Sequence, residues 1–262
     1  MCLPADAMID FSYIADPFFF AVAIPAVLLT GISKAGFGGA VGGLAVPLLS
    51  LAVAPPQALA IMLPLLCVMD ILGLIAFRRT FDKRVLRLAI PAGLLGTAIG
   101  ALLLNYIEVR WIQALIGIEA VLFSLNFMLK KSPPPPIEGA PISAAKARFW
   151  SALSGFTSFI SHAGSPPMLQ FMLPLGLEPR VFVGTMNWFF AVMNYAKWLP
   201  YAALGLIDWR NTGTSVVLLP LIPVGFVVGY FILRRINAEW FRRIATWGLM
   251  ITGLKLCWDA FM

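Results

Sequence analysis

The chain has 262 residues, of which 60% are hydrophobic and only 12% are charged, and its mean hydropathy is +0.89. A soluble domain carries roughly 45–50% apolar and about 25% charged residues, so this surplus of apolar side chains cannot be buried in one water-soluble core. The composition excludes a soluble enzyme, a nucleic-acid-binding protein and a disordered chain. It predicts an all-α polytopic membrane protein.

The charge and the metal-ligating residue types narrow the function further. Lysine and arginine number 19 against 12 acidic residues, giving a net charge of +7, and the chain has one histidine. Cys2, Cys67 and Cys257 lie far apart, without metal-ligand spacing. The sequence also lacks a P-loop, an HExxH motif and a Ser-His-Asp order. We therefore expect no metal, no cofactor and no hydrolysis of ATP.

Eight apolar regions follow one another along the chain. A bilayer core about 30 Å thick needs some 20 helical residues. Regions 17–54 and 150–177 are interrupted by GISKAGFGGAVGG and SHAGSPP, and each predicts a broken, re-entrant hairpin of two short helices joined by an unwound turn. The other regions predict transmembrane helices at 57–77, 85–106, 111–129, 181–204, 212–233 and 241–258.

Basic residues predict the orientation. They cluster in three connections, 78–84, 130–148 and 234–243, whereas the remaining turns are close to neutral. Basic connections remain in the cytoplasm, which makes the Pro-rich linker 130–148 cytoplasmic. Both termini are then non-cytoplasmic, and the expected location is the cell (inner) membrane.

The linker separates two similar halves, 1–129 and 149–262. The pair Gly96 and Gly100 recurs as Gly225 and Gly229 at an offset of 129, and FDKR in the first half corresponds to IDWR in the second. Each half is a hairpin followed by three spans, an arrangement that makes the copies run oppositely through the membrane. The sequence therefore predicts two inverted-topology repeats with a site at mid-membrane. We assign the GxxxG pairs to close helix packing.

The two hairpin turns offer the candidate site. Their glycines expose backbone N–H groups, and a helix that begins after a turn directs the positive end of its dipole at an anion. The glycines alone would equally suit close packing; their paired occurrence in the two halves favours a substrate site. The candidate substrate-binding residues are Ser33, Lys34, Gly36, Gly38, Gly39, Gly42, Ser161, His162, Gly164, Ser165, Asn187, Trp188 and Asn194.

Ionisable residues inside spans are costly and are functional candidates. Asp70, Glu119 and His162 are candidates for proton coupling; Asp70 or Glu119 would equally suit a structural pair with Lys34, and His162 a hydrogen-bonded turn. Lys197 and Lys255 lie toward the outer ends of their spans and are predicted to be interfacial anchors.

The sequence resembles the TauE/SafE family of sulfite exporter-like permeases over about residues 17–258. The resemblance is carried by GISKAGFGGAVGGLAVPLLSL (31–51) with the following PPQALA, by HAGSPPMLQFMLPLGLEPRVFVGTMN (162–187), and by the IDWR motif and the GxxxG spans. It implies a cytoplasmic-membrane transporter of small sulfur-containing anions, namely sulfite, organosulfonates such as sulfoacetate, or thiosulfate. The role of Lys34 is inferred from its position and not from the family.

The resulting hypothesis is an alternating-access secondary transporter that holds its anion between two hairpin tips. An anion channel of the same fold is the first alternative. A membrane-embedded enzyme or cofactor-binding subunit is the second, and the paired acidic or His/Cys clusters that it needs are absent from the sequence. The expected partners are a small sulfur oxyanion or sulfonate and the lipid bilayer, without nucleic acid. The identity of the anion, the direction of transport, the coupling ion and a homodimer are left open.

Overall fold

The computed structural model describes residues 16–37, 43, 45–104, 106, 108–129 and 142–235, and scattered positions between 247 and 261. All regular structure in these residues is helical. A short 3₁₀ turn, Leu173–Leu175, directly follows the helix Ser165–Met172. The helices are α1 (Pro17–Phe37), α2 (Ala45–Leu49), α3 (Pro55–Ala76), α4 (Lys83–Leu104), α5 (Val109–Leu129), α6 (Ala144–Ser161), α7 (Ser165–Met172), α8 (Pro179–Ala196), α9 (Trp198–Ala203), α10 (Trp209–Leu218) and α11 (Leu221–Arg235).

Three of the described helices are long and apolar enough to cross a membrane, by length and composition. They cover Pro17–Ala35, Pro55–Ala76 and Lys83–Leu104. A fourth crossing results if α10 and the first part of α11 count as one bent span. The predicted span 111–129 is covered by α5, whereas most of the predicted span 241–258 lies outside the described residues. The described part of the chain is thus all-helical, with three or four candidate membrane spans.

Helix α3 lies at the centre of the larger apolar core. Pro55 occupies its first turn, where a missing N–H costs no helical hydrogen bond. Apolar side chains from α1, α2, α9 and α10 pack around it. Asp70 is fully buried on this otherwise apolar helix. Because an ionised carboxylate is costly in such surroundings, α3 requires polar partners from its neighbours at this point.

Glycines permit the closest helix contacts. A methyl group at Gly96 of α4 would overlap the carbonyl oxygen of Ala152 of α6, and one at Gly155 of α6 would overlap the carbonyl oxygen of Gly93. In the same way Gly31 of α1 lies against the backbone of Gly225 of α11. These contacts agree with a packing role for the glycine pairs. Each joins a hairpin helix of one half to a span of the other half.

The first broken segment differs from its prediction. Helix α1 continues without interruption to Phe37, so Ser33, Lys34 and Gly36 are helical and do not lie in an unwound turn. It is also 21 residues long, which is not a short hairpin arm. One glycine costs a helix only about 1 kcal/mol, and at Gly31 the missing side chain admits the backbone of α11. Residues 38–42, with Gly38, Gly39 and Gly42, lie outside the described residues.

The second broken segment has its turn where the sequence predicts it. Helix α6 ends at Ser161, and α7 begins at Ser165. His162 adopts the left-handed conformation with φ 54°, which ends the helix, and its N–H donates to the carbonyl oxygen of Ser158. Ile142 before α6 and Leu175 after α7 pack against the same apolar cluster of the α4 and α8 helices. Both ends of this hairpin therefore lie against the same apolar cluster.

Two predicted spans are not single helices. The span 181–204 is divided at Lys197 between α8 and α9. The span 212–233 is divided between α10 and α11, whose axes differ by 44°. Pro200 and Pro220 cannot donate the helical backbone hydrogen bond, which accounts for a break close to each of them.

The FDKR and IDWR motifs begin helices. Asp82 precedes α4 and accepts hydrogen bonds from the backbone N–H groups of Arg84 at 2.7 Å and Val85 at 3.3 Å. Asp208 is the N-cap of α10 and accepts from the backbone N–H of Asn211 at 2.7 Å. Aspartate is among the preferred N-cap residues, so the recurrence of this motif has a structural explanation in both halves.

Candidate functional site

The two broken segments meet. A methyl group added at Gly43, just before α2, would lie 3.0 Å from the Cβ of Ala163 in the turn between α6 and α7. Gly164, the next residue, is equally close-packed: a side chain there would meet the carbonyl oxygen of Ser154 at 2.6 Å. The Ser154 hydroxyl in turn donates to the Gly164 carbonyl at 2.6 Å. The turn is thus held tightly against α6 and against the first segment.

The tip of the second segment lies level with the middle of α5. The hydroxyl of Ser161 donates to Glu119 Oε2 at 2.6 Å. Glu119 stands ten residues from either end of α5, which runs from Val109 to Leu129. At 1.5 Å per residue, this is about 15 Å from each end of the helix.

Next to the contact of Ser161 with Glu119, a series of hydrogen-bonded, buried polar side chains connects the two halves. Lys34 of α1 forms an ion pair with Asp70 Oδ1 of α3. The other carboxylate oxygen of Asp70 accepts from Asn194 Nδ2 of α8 at 2.7 Å. Lys34, Asp70 and Asn194 are all buried. Charged side chains in an apolar interior persist only with such partners.

Lys197 continues this chain, and its predicted role as an interfacial anchor is wrong. The side chain is fully buried, with 0% exposure. Its Nζ donates to Asn194 Oδ1 at 3.0 Å and to Ser158 Oγ at 2.8 Å, and it lies 3.0 Å from Nδ1 of His162. The break between α8 and α9 places Lys197 at this position. Three polar acceptors then satisfy the ammonium group inside the protein instead of at the membrane surface.

His162 links the turn to both halves. Its Nδ1 lies 3.0 Å from Lys197 Nζ and accepts from it when the ring is neutral and the proton is on Nε2. Its Nε2 lies 3.0 Å from the carbonyl oxygen of Leu59 in α3 and carries the proton of a neutral ring. This arrangement favours the uncharged imidazole, because a second proton would place two cations in contact. It speaks against His162 as the proton carrier.

The charges of this polar network do not balance within the described residues. The network comprises two lysines, Lys34 and Lys197, and one carboxylate, Asp70. Asp70 pairs with Lys34, and the hydrogen-bonding partners of Lys197 are all neutral. Counted with both lysines protonated and Asp70 ionised, the network carries one more positive than negative charge.

A groove of about 720 Å³ lies on another face of α6. Glu119 and Thr157 contribute polar groups to it, whereas most of its lining is apolar, including Leu115, Leu122 and Phe156. Glu119 therefore borders both this groove and, through Ser161, the hairpin tip. The hydrogen-bonding partner of Glu119 is the hydroxyl of Ser161, whereas Asp70 pairs with a lysine.

The remaining predicted site residues separate into two groups. Ser33, within α1, and Ser165, at the start of α7, are buried near the contacts described above. Asn187 donates to the carbonyl oxygen of Val183 at 2.9 Å and packs against Gly73, so it contributes to the contact between α3 and α8. Trp188 packs on Phe81, with ring centroids 5.1 Å apart, in the apolar cluster beside α4. The structure does not bring Trp188 to the polar network.

The sequence analysis missed Lys197 as a site residue, and it missed Ser158. A signal was present for Lys197: it is a charged residue inside an apolar stretch, three residues before Pro200. Ser158 gave no comparable signal, since serines at 151, 154, 158 and 161 all occur in the same helix. Its role depends on which face of α6 meets α8.

The comparisons with known proteins give one family. A family model described as "Sulfite exporter TauE/SafE" matches residues 23–256, which include the second broken segment, the first from residue 23 onward, and every residue of the polar network. No curated protein and no solved structure matches the chain.

Proposed function

Because the chain belongs to the sulfite exporter TauE/SafE family, we propose that it is a secondary membrane transporter of small sulfur-containing anions. Members of this family are transporters. The proposed substrates are sulfite, an organosulfonate such as sulfoacetate, or thiosulfate. The proposed site lies between the tips of the two broken segments.

One observation carries this proposal: the buried, net positive polar network beside the contact of Gly43 with Ala163. Its residues come from both halves of the chain. A buried charge without an opposite partner is expensive, and in a membrane protein it is a functional hypothesis by default. An oxyanion bound beside the network would supply the missing negative charge.

Alternating access follows from the way the halves pack on each other. Helix α1 of the first half packs on α11 of the second, and α6 of the second packs on α4 of the first. This reciprocal exchange supports the proposed pair of inverted repeats. Rocking of the two units around a site between them would expose the anion first to one side and then to the other.

We further propose proton coupling through Glu119. A carboxyl group inside the membrane that hydrogen-bonds a serine of the hairpin tip can take up a proton without losing an ion-pair partner. The proposed orientation has linker 130–148 in the cytoplasm and both termini outside. It places the exposed Arg78, Arg79, Lys146 and Arg148 on the cytoplasmic side.

Two measurements on purified, reconstituted protein test the function. Sulfite, sulfoacetate or thiosulfate should raise the melting temperature of the detergent-solubilised protein, whereas chloride should not. In vesicles, uptake of the stabilising anion should saturate and show counterflow. The absence of stabilisation by all three sulfur anions would contradict the substrate class. Flux that rises linearly with concentration, without counterflow, would instead identify a channel.

A further inference from the structure

The groove beside α6 is formed by one face of α5 and one face of α6. The residues that α5 contributes recur at helical spacing: Leu115, Ile118, Glu119, Leu122 and Asn126. Most of those that α6 contributes do the same: Trp150, Leu153, Thr157 and Ile160. From Leu115 to Asn126 the groove extends about 16 Å along α5. Its volume of about 720 Å³ falls within the range of roughly 300–1,000 Å³ that is typical of small-molecule pockets.

The groove is open on the side away from the protein interior. Leu122 is 60% exposed, and Leu115 and Ile118 are each 42% exposed. These exposed side chains are apolar, and Glu119 between them stands about 15 Å from each end of α5. In a membrane-embedded chain, an apolar surface at this depth faces lipid hydrocarbon and not water. A ligand of this groove therefore enters from the lipid and has an apolar body.

Glu119 gives the groove its chemical character. Among the described residues that line the groove, it is the one ionisable side chain, and Asn126, Thr157 and Gln170 are neutral. Its hydrogen-bonding partner is the hydroxyl of Ser161, and it forms no ion pair with any residue that the structure describes. A cation in this groove thus meets an acidic group without a competing basic one. A carboxyl group in apolar surroundings is costly to ionise unless such a partner is present.

We propose that this groove binds lipophilic amines, with the amine nitrogen on the carboxyl group of Glu119 and the apolar body between α5 and α6. The inference goes beyond the proposed function, because it concerns a cationic ligand and a different face of α6 from the polar network. The complex holds one proton between nitrogen and oxygen, whether a neutral amine meets the carboxylic acid or an ammonium ion meets the carboxylate. In the first case the proton moves from Glu119 to the nitrogen. The resulting charge-assisted hydrogen bond is roughly twice as strong as a neutral one.

The experiment uses three compounds that share one rigid apolar cage. At neutral pH 1-adamantylamine is a cation, 1-adamantanol is uncharged and 1-adamantanecarboxylate is an anion. Saturable binding of radiolabelled 1-adamantylamine to the protein in vesicles, corrected with protein-free vesicles, gives its affinity, and displacement gives the other two. The wild-type protein should bind the amine at least about tenfold more tightly than the alcohol, and the carboxylate most weakly.

Two variants separate the charge of the site from its shape. Glu119→Gln retains an oxygen that accepts from Ser161 but has no proton to give and no charge to pair. Its amine affinity should fall about tenfold or more, while its alcohol affinity stays within about twofold of wild type. Leu122→Trp adds bulk at an exposed position of the lining and should weaken amine and alcohol alike. Glu108→Gln, at an exposed glutamate, is the matched control, with wild-type affinities expected.

Each variant is first checked for a single monodisperse species by size-exclusion chromatography. If Glu119→Gln fails this check, the three probes on the wild-type protein and on Leu122→Trp decide the question. Equal binding of amine and alcohol by the wild-type protein would overturn the inference, as would unchanged amine binding in Glu119→Gln. The absence of saturable binding of all three probes would also overturn it and leave lipid chains as the occupant. None of these measurements involves a sulfur anion, so the proposed function is decided separately by its own stabilisation and uptake measurements.

Discussion

Asp70 shows how this protein keeps several charged side chains away from water. One of its carboxylate oxygens pairs with Lys34 and the other accepts from Asn194, so both oxygens of the buried group have partners. The side-chain oxygen of Asn194 in turn accepts a hydrogen bond from Lys197 Nζ. A single amide side chain thus orients an ion pair on one side and an unpaired cation on the other. Removing one member leaves the next one unsatisfied, at a cost of several kcal/mol.

Glu119 provides a residue-scale test of proton coupling. The substitution Glu119→Gln retains an oxygen that accepts from Ser161 but cannot take up a proton. We expect anion affinity to stay within about twofold of wild type, while uptake loses its dependence on a pH gradient. Vesicle uptake with and without an imposed gradient measures this. Glu108→Gln, at an exposed glutamate, is the control, and persistent gradient dependence in Glu119→Gln would exclude this residue as the proton site.

Asp82 gives a pH-dependent prediction outside the membrane spans. Burial raises the pKa of this carboxyl, but hydrogen bonds from the Arg84 side chain and from the backbone N–H groups of Arg84 and Val85 outweigh it, and the pKa is lowered. The stabilisation is then complete above the pKa of the unfolded chain, about 3.9, and disappears as the pH falls through the lower folded value.

Because asparagine caps a helix about as well as aspartate, replacement of Asp82 by asparagine removes only the contribution of the charge and should destabilise the protein at neutral pH by up to about 1 kcal/mol. The difference from wild type should shrink as the pH is lowered from about 7 toward about 3. Thermal unfolding in detergent measures both. A difference that stays constant over this range would show that the charge of Asp82 contributes nothing to α4.

At the scale of elements, the second broken segment was predictable and the first was so only in part. SHAGSPP combines a glycine, which tolerates close contacts, with two prolines that suit the start of a helix, so a turn followed by α7 is a local property of the sequence. The first segment has several glycines in series, and its helix ends only after Phe37. Gly31 does not interrupt this helix, because it packs against the backbone of Gly225. Sequence spacing alone does not reveal which glycine packs against a distant helix.

The breaks within predicted spans were missed for a related reason. Hydropathy does not distinguish a straight helix from two helices joined at Lys197 or near Pro220, because the apolar stretch continues through both. Proline indicates a break, but many membrane helices tolerate it when neighbours satisfy the freed backbone groups. Lys197 became informative only once α6 and α8 were in contact.

The glycine contacts predict a ranking of alanine substitutions. Gly96→Ala and Gly155→Ala place a methyl group on a backbone carbonyl oxygen and should destabilise the protein by about 1–3 kcal/mol or more. Gly225→Ala meets its nearest neighbour at 3.1 Å, and the gain in helix propensity of up to about 1 kcal/mol should nearly offset the crowding. Unfolding in detergent compares the three variants. Equal destabilisation by all three would contradict the assigned contacts.

At the scale of the whole molecule, neither half contains the site alone. Lys34, Asp70 and Leu59 come from the first half, and Ser158, His162, Asn194 and Lys197 come from the second. The duplicated motifs in the sequence predicted a site between two halves. They could not predict which polar groups would meet, because that depends on the register in which α3 packs against α6 and α8.

The contact between the two broken segments is the feature on which the proposed transport site depends, and cross-linking tests it most directly. Gly43→Cys and Ala163→Cys are introduced together after Cys2, Cys67 and Cys257 have been replaced by alanine. Mild oxidation should form an intramolecular disulfide, since the two positions are within reach of one, and anion uptake in vesicles should stop until the bond is reduced. Failure of an actively transporting protein to form the bond, or full transport in the bonded state, would contradict a site between the two segments.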